Sequence, residues 1–189
     1  MSNEQINNSD EADADRHWDI AFPVRRSIRY HNARQSFFEN WHRFTSFASV
    51  LVSSAASVAF FSAYPKELTA SMLFFVAALN AIELVVNTSK LALLHDSLKK
   101  QFISLEMNLL AGVDKLSEVD YIAACKARLA IENQEPPVLH YVNLQCHNEI
   151  IQSTPGFSKE DKKKAFVNIT LWQKLSKNFV LGNPVENIV

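Results

Sequence analysis

Asn80, Glu83, Asn87 and Lys90 lie in or beside an otherwise apolar stretch, at separations of three, four and three residues. That spacing sets all four on one face of a helix. A carboxylate so placed is either hidden by a partner or used to handle cations. A second cluster, His140, Cys146, His147 and Glu149, invites two other chemistries. His140 and His147 are seven apart and share a helical face, as metal ligands need, but His147 and Glu149 do not. Cys146 has His147 next to it, yet neighbours on a helix point apart, so the pair is poorly disposed as nucleophile and base. The expected state is a buried thiol with surface or capping histidines.

No H-E-x-x-H, G-x-S-x-G or paired-aspartate metal pattern occurs. Glycine stands only at 112, 156 and 182, which rules out a phosphate-cradling GxGxxG or P-loop. A non-enzyme without cofactor or metal is expected. Two cysteines, Cys125 and Cys146, lack CxxC spacing and read as free thiols in a reducing compartment. A net charge of −1 gives no argument for nucleic acid, and none is expected as a partner.

The elements that hold the Glu83 stripe are two apolar runs. Phe44–Tyr64 is 21 residues without a charge, closed by Pro65-Lys66-Glu67. Leu68–Ser89 follows with Glu83 as its one charge. As helices each is roughly 30 Å long, the hydrocarbon thickness of a bilayer. The pair predicts a transmembrane hairpin with spans near 44–64 and 68–89. A soluble hairpin is the rival reading, since the first run holds six serines. The remaining chain is too polar to bury two such helices.

Arg16, Arg25, Arg26, Arg29, Arg34 and Arg43 precede the hairpin, and Lys90, Lys99 and Lys100 follow it, against Lys66 alone in the turn. This asymmetry predicts two cytoplasmic termini and an external Pro65 turn. Residues 1–15 hold five acids and no base, which reads as a disordered acidic tail over 1–20 and not as a secretory signal.

Ser46, Ser49, Ser53 and Ser57, with Ala56 beside them, make a small-residue stripe on the first span, suited to close packing on the second. Glu83 lies about 9 Å inside the span from Ser89. There it costs on the order of 1–3 kcal/mol unless paired, protonated or wet. Three accounts stand open: pairing with Lys90 or an arginine of the first helix, a hydrogen bond to the serine face, or a water-filled centre in a homo-oligomer.

Before the hairpin, a helix over Arg25–Arg43 is expected to start at Phe22-Pro23. Its Arg25, Arg26, Arg29, Arg34, Trp41 and Arg43 form a basic and aromatic interfacial set. After the hairpin the second helix is expected to continue along a leucine seam (Leu91, Leu94, Leu98, Leu105, Leu109) to Gly112. A helix follows over Leu116–Asn133, capped by Ser117 or Asp114, and another from Pro136-Pro137 to Gln152. A turn at Thr154-Pro155-Gly156 leads to a last helix capped by Ser158. That helix carries Phe166, Leu171, Trp172, Leu175 and Phe179 beside Lys163, Lys164, Lys174 and Lys177. It suits either the inner membrane surface or packing on the other helices. The fold class is all-α, a two-span hairpin with an N-terminal cytoplasmic or interfacial helix and C-terminal cytoplasmic helices.

The run Ile28-Arg29-Tyr30-His31-Asn32-Ala33-Arg34, then Phe37-Phe38 and Trp41-His42-Arg43 leading into a Ser/Ala-rich span, resembles the SLATT proteins. Ala127-Arg128-Leu129, Glu132, Glu135-Pro136-Pro137 and Cys146-His147-Asn148-Glu149 are similar to the cytoplasmic helices of phage and bacterial members. The likeness covers about 20–155 and divides the chain into the tail, a SLATT-like domain over 21–155 and an amphipathic C-terminal helix and tail over 156–189. It implies a bacterial inner-membrane effector, pore-forming or membrane-perturbing when a partner signals. No fused sensor domain is recognised, so the implied sensor or nucleotide-signalling protein is a separate one. The competing roles are a structural or regulatory membrane anchor, a phage holin-like protein, and a cytoplasmic enzyme using Cys146 and His147.

Overall fold

The computed structural model describes residues 3–54, 62–111 and 116–181; side-chain descriptions begin at Asp13 and omit Ser53. These residues form seven helices and no strand. They are α1 (Asn3–Ser53), α2 (Lys66–Val86), α3 (Thr88–Ala111), α4 (Glu118–Glu132), α5 (His140–Ser153), α6 (Lys159–Ala165) and α7 (Leu171–Ser176). The all-α expectation holds. The expectations for Ala56, Ser57, Gly112 and Asp114 fall outside the described residues, and with them part of the first span.

The helix expected to open at Pro136-Pro137 starts at His140 after an extended Leu139, and three further boundaries differ from the sequence reading. The stretch read as a disordered tail is helical from Asn3, and α1 runs straight through Pro23 instead of starting there. A proline inside a helix removes one N–H and crowds the preceding turn, at a cost of about 3 kcal/mol. Ile20 and Val24 are wholly buried on either side of it. At about 1.5–3 kcal/mol for each side chain, their burial offsets that loss.

The second helix does not continue unbroken to residue 111. Asn87 adopts the left-handed conformation (φ 52°, ψ 61°) and its N–H bonds Glu83 O, which closes α2. Its Oδ1 accepts the Lys90 N–H at 3.2 Å and so caps the start of α3. Asparagine tolerates this backbone better than most residues because its short side chain bonds locally.

The last helix is split in two. Ser158 caps α6 as expected, accepting the Asp161 N–H at 3.1 Å. The chain then leaves the helix at Phe166, and α7 begins after Thr170. Asn148 on α5 explains the break, since its Oδ1 accepts the Val167 N–H at 2.9 Å and its Nδ2 donates to Val167 O at 2.7 Å. Both backbone groups of one residue are thereby held by a buried amide.

The chain divides into two compact units, Met1–Ala33 with Asp96–Val189, and Arg34–His95. In the first, Ile20, Ala21 and Val24 of α1, Leu98, Phe102, Leu105 and Leu109 of α3, Ala124 and Ile131 of α4, and Val142, Cys146 and Ile150 of α5 supply the buried apolar side chains. The seam beyond residue 95 thus packs as its spacing predicts. Ser117 caps α4, accepting the Asp120 N–H. Gly156, at φ 91°, forms the turn before α6. The second unit contains the end of α1, all of α2 and the start of α3, and it has few buried apolar side chains.

Candidate functional site

In the Arg34–His95 unit the apolar side chains face outward. Helix α2 is 21 residues long with a mean hydropathy of 1.9 over its apolar window, and Leu79 is its one buried residue. Phe74 is 77% and Val85 is 84% exposed. It is long and apolar enough to cross a membrane, the one such helix among the described residues. On α1, Phe44, Phe47, Val50 and Leu51 are exposed as well. A water-soluble helix hides such a surface, whereas a helix in lipid turns it outward and must satisfy its polar groups internally.

Several polar groups of this unit find partners within it. Ser49 Oγ lies 2.7 Å from Asn80 Oδ1 and 2.8 Å from its own turn's Thr45 O. His42 Nδ1 donates to Glu83 Oε1 at 3.0 Å, and the buried Thr88 hydroxyl donates to the same oxygen. Thr45, Thr69 and Ser71 return their hydroxyls to carbonyls one turn back. Glu83 Oε2 has no hydrogen-bond partner among the described residues.

The stripe of Asn80, Glu83, Asn87 and Lys90 is therefore not one continuous polar face. Asn80 meets the serine side of α1, and Glu83 pairs with His42 in place of Lys90 or an arginine. Asn87 is consumed by the helix break, and Lys90 is exposed at the start of α3. Sequence spacing missed His42 and Thr88, because the left-handed turn at Asn87 brings Thr88 back onto the end of α2.

Below this region the same unit holds a cation among aromatic rings. The Arg34 guanidinium lies 4.6 Å from the Phe38 ring centre and 5.1 Å from that of Phe37, and the side chain is buried. Phe38 stacks on the buried His95 (5.7 Å, 13°), and Trp41 stands 6.4 Å from Phe37. Arg43 is exposed, 3.7 Å from Glu39.

The other arginines read as interfacial belong to the first unit and meet protein groups there. Arg25 Nε donates to Glu106 at 2.7 Å, and Arg29 donates to Ser153 Oγ at 2.8 Å. Arg26 lines a cavity of about 350 Å³ together with Tyr30, Glu132, Glu135 and Asn143. Burial, and then the nearby Arg128 guanidinium, pull its pKa below the usual arginine value, with Glu132 and Glu135 opposing. In the same unit the Tyr30 hydroxyl accepts the Leu139 N–H at 3.0 Å, just after Pro136-Pro137. His31, fully buried, stacks on Phe102 (5.5 Å, 17°) and donates from Nε2 to Glu135 at 3.0 Å. The Arg29…Phe38 run thus works as a set of packing ties along α1.

Cys146 and His147 do not form a nucleophile–base pair. Cys146 is buried beside Tyr30, Leu139 and Val142, and burial, with the Glu149 charge second, pushes its pKa up to about 12. A thiol so held is un-ionised near neutrality and a poor nucleophile. His147 donates from Nε2 to Ala165 O at 3.0 Å and meets Phe22 edge-on. Among the described residues no three His, Cys, Asp or Glu groups are placed to hold a metal. Comparison with known protein families, curated proteins and solved structures finds no match.

Proposed function

We propose that this chain is a two-span protein of the bacterial inner membrane and an effector that perturbs the bilayer when a separate partner signals. The observation that carries the membrane reading is α2, whose mean hydropathy of 1.9 goes with the burial of Leu79 alone. The inward pairing of Ser49 with Asn80 and of His42 with Glu83 supports a hairpin, since lipid offers such groups no hydrogen bonds. The effector role rests on the SLATT resemblance. In an oligomer, the unpartnered Glu83 Oε2 supplies a carboxylate oxygen for a cation-attracting constriction.

A cysteine at Lys66 should react with an impermeant maleimide from outside, and one at Gln152 only after permeabilisation. The reverse pattern overturns the topology. Induced expression together with the activating partner should depolarise the membrane. An unchanged potential under those conditions overturns the effector role.

One observation favours a second reading, a regulatory anchor. Asn80, Glu83 and Asn87 each find hydrogen-bond partners within a single chain. That leaves less polar surface for a shared pore. An anchor would insert with the same topology and leave the potential untouched.

A further inference from the structure

The chain that follows α5 exposes an apolar surface which the bundle holds in place and does not cover. Leu171, Trp172 and Leu175 of α7 are 79%, 77% and 72% exposed, and Phe179 just beyond is 69% exposed. These side chains are not displayed by a loose tail. A capping box starts α7, with the Thr170 hydroxyl and the Gln173 side chain each bonding the other's backbone. The preceding residues are pinned by Asn148 on Val167, and the His140 N–H reaches Leu181 O at 3.3 Å. A segment that fixes a Trp, a Phe and two Leu outward is presenting a binding surface.

Charge identifies what it binds. Residues 159–181 contain six lysines and two acids, a net +4, in a chain whose total is −1. Lys162 and Lys177 are tied to Gln152 O and Gln145 Oε1. Lys159, Lys163, Lys164 and Lys174 are exposed. We propose that this segment is a peripheral membrane contact, seating Leu171, Trp172, Leu175 and Phe179 at the headgroup boundary of an anionic bilayer with the lysines on lipid phosphates. A six-residue helix is far too short to span, but aromatic and leucine side chains ringed by lysine are what interfacial binding requires. A second copy of the chain is a poorer occupant, because its own +4 segment would face the first and repel it. The bilayer is the one the preceding reading gives α2, and the two claims fail separately.

The test uses the full chain in vesicles, with a nitroxide at Leu175→Cys in a Cys125→Ser background. In vesicles containing phosphatidylglycerol the label should become accessible to oxygen and shielded from an aqueous nickel chelate. In phosphatidylcholine alone, or at high salt, it should return to water. Lys163→Gln, Lys164→Gln and Lys174→Gln together should lower the ratio of seated to free segment on the order of a hundredfold, about fivefold per lysine. Trp172→Glu should release the label while the thermal transition stays in place, since Trp172 is 77% exposed. A label in water in every vesicle overturns the proposal. So does shielding that is equal in neutral lipid and rises with the protein-to-lipid ratio, which would identify a second copy as the occupant. Extraction of the chain from vesicles by alkaline carbonate would instead count against the insertion of α2.

Discussion

Replacing Asn148 by Ala should free the C-terminal segment without unfolding the bundle. Asn148 is 6% exposed and makes two hydrogen bonds to one residue, at 2.9 Å and 2.7 Å. Each such bond contributes about 1 kcal/mol net. Val167 is half-buried, so water replaces the lost amide on both of its backbone groups. The loss should therefore stay near 2 kcal/mol and not reach the larger penalty of orphaned buried groups. If the segment opens locally, that difference speeds exchange of the Val167 amide by roughly thirtyfold. Hydrogen exchange on the full chain in nanodiscs reads this directly, with the α5 amides as internal reference. An unchanged Val167 rate would refute the reasoning. So would faster exchange spread evenly over α5, because Asn148 would then act through the core and not as a clamp. Asn148→Asp keeps the acceptor for the Val167 N–H but turns a carboxylate on Val167 O, and it should open the segment at least as far.

Three further substitutions probe the remaining elements. Phe74→Asp puts a charge at an exposed position of α2: in lipid this costs about 2.5–3.5 kcal/mol and should lower carbonate-resistant insertion, whereas in water such a surface change is within about 0.5 kcal/mol and would leave fractionation unaltered. Cys146 should resist alkylation near pH 8 in the folded chain while the half-buried Cys125 reacts. Its pKa is raised by folding to about 12, so its contribution to stability is full below the unfolded thiol value and declines as pH rises from there towards 12; a pH titration of the unfolding transition of Cys146→Ala against the parent measures it. Glu83→Gln keeps the shape and should preserve expression; in a conducting assembly the cation preference of leakage should change, and unaltered leakage in a chain shown to conduct would leave Glu83 as an internal tie to His42.

Helical content, the apolar character of α2 and the caps at Ser117 and Ser158 were legible in the sequence, because each depends on residues within a few positions of one another. Periodicity also selected the buried Leu98, Leu105 and Leu109, while Leu91 and Leu94 of the same seam are half-buried. The breaks were not legible. Asn87 reads as part of a helical face by spacing, and only its left-handed backbone turns it into a cap for two helices. The split after Ala165 depends on Asn148, 19 residues upstream, whose amide grips Val167. Tertiary packing also overrode the local signal at Pro23, where buried Ile20 and Val24 carry the helix through a residue that normally begins one.

The arginine-rich run shows the same division. Charge counting placed Arg25, Arg26, Arg29 and Arg34 at a membrane boundary; within the fold they meet Glu106, the Glu132 and Glu135 carboxylates, Ser153 and the Phe37–Phe38 rings respectively. Composition carries the number and sign of charges along the chain, and with it the long apolar helix. Which carboxylate, ring or carbonyl each charge meets is set by residues tens of positions away, so it is decided only when the helices pack.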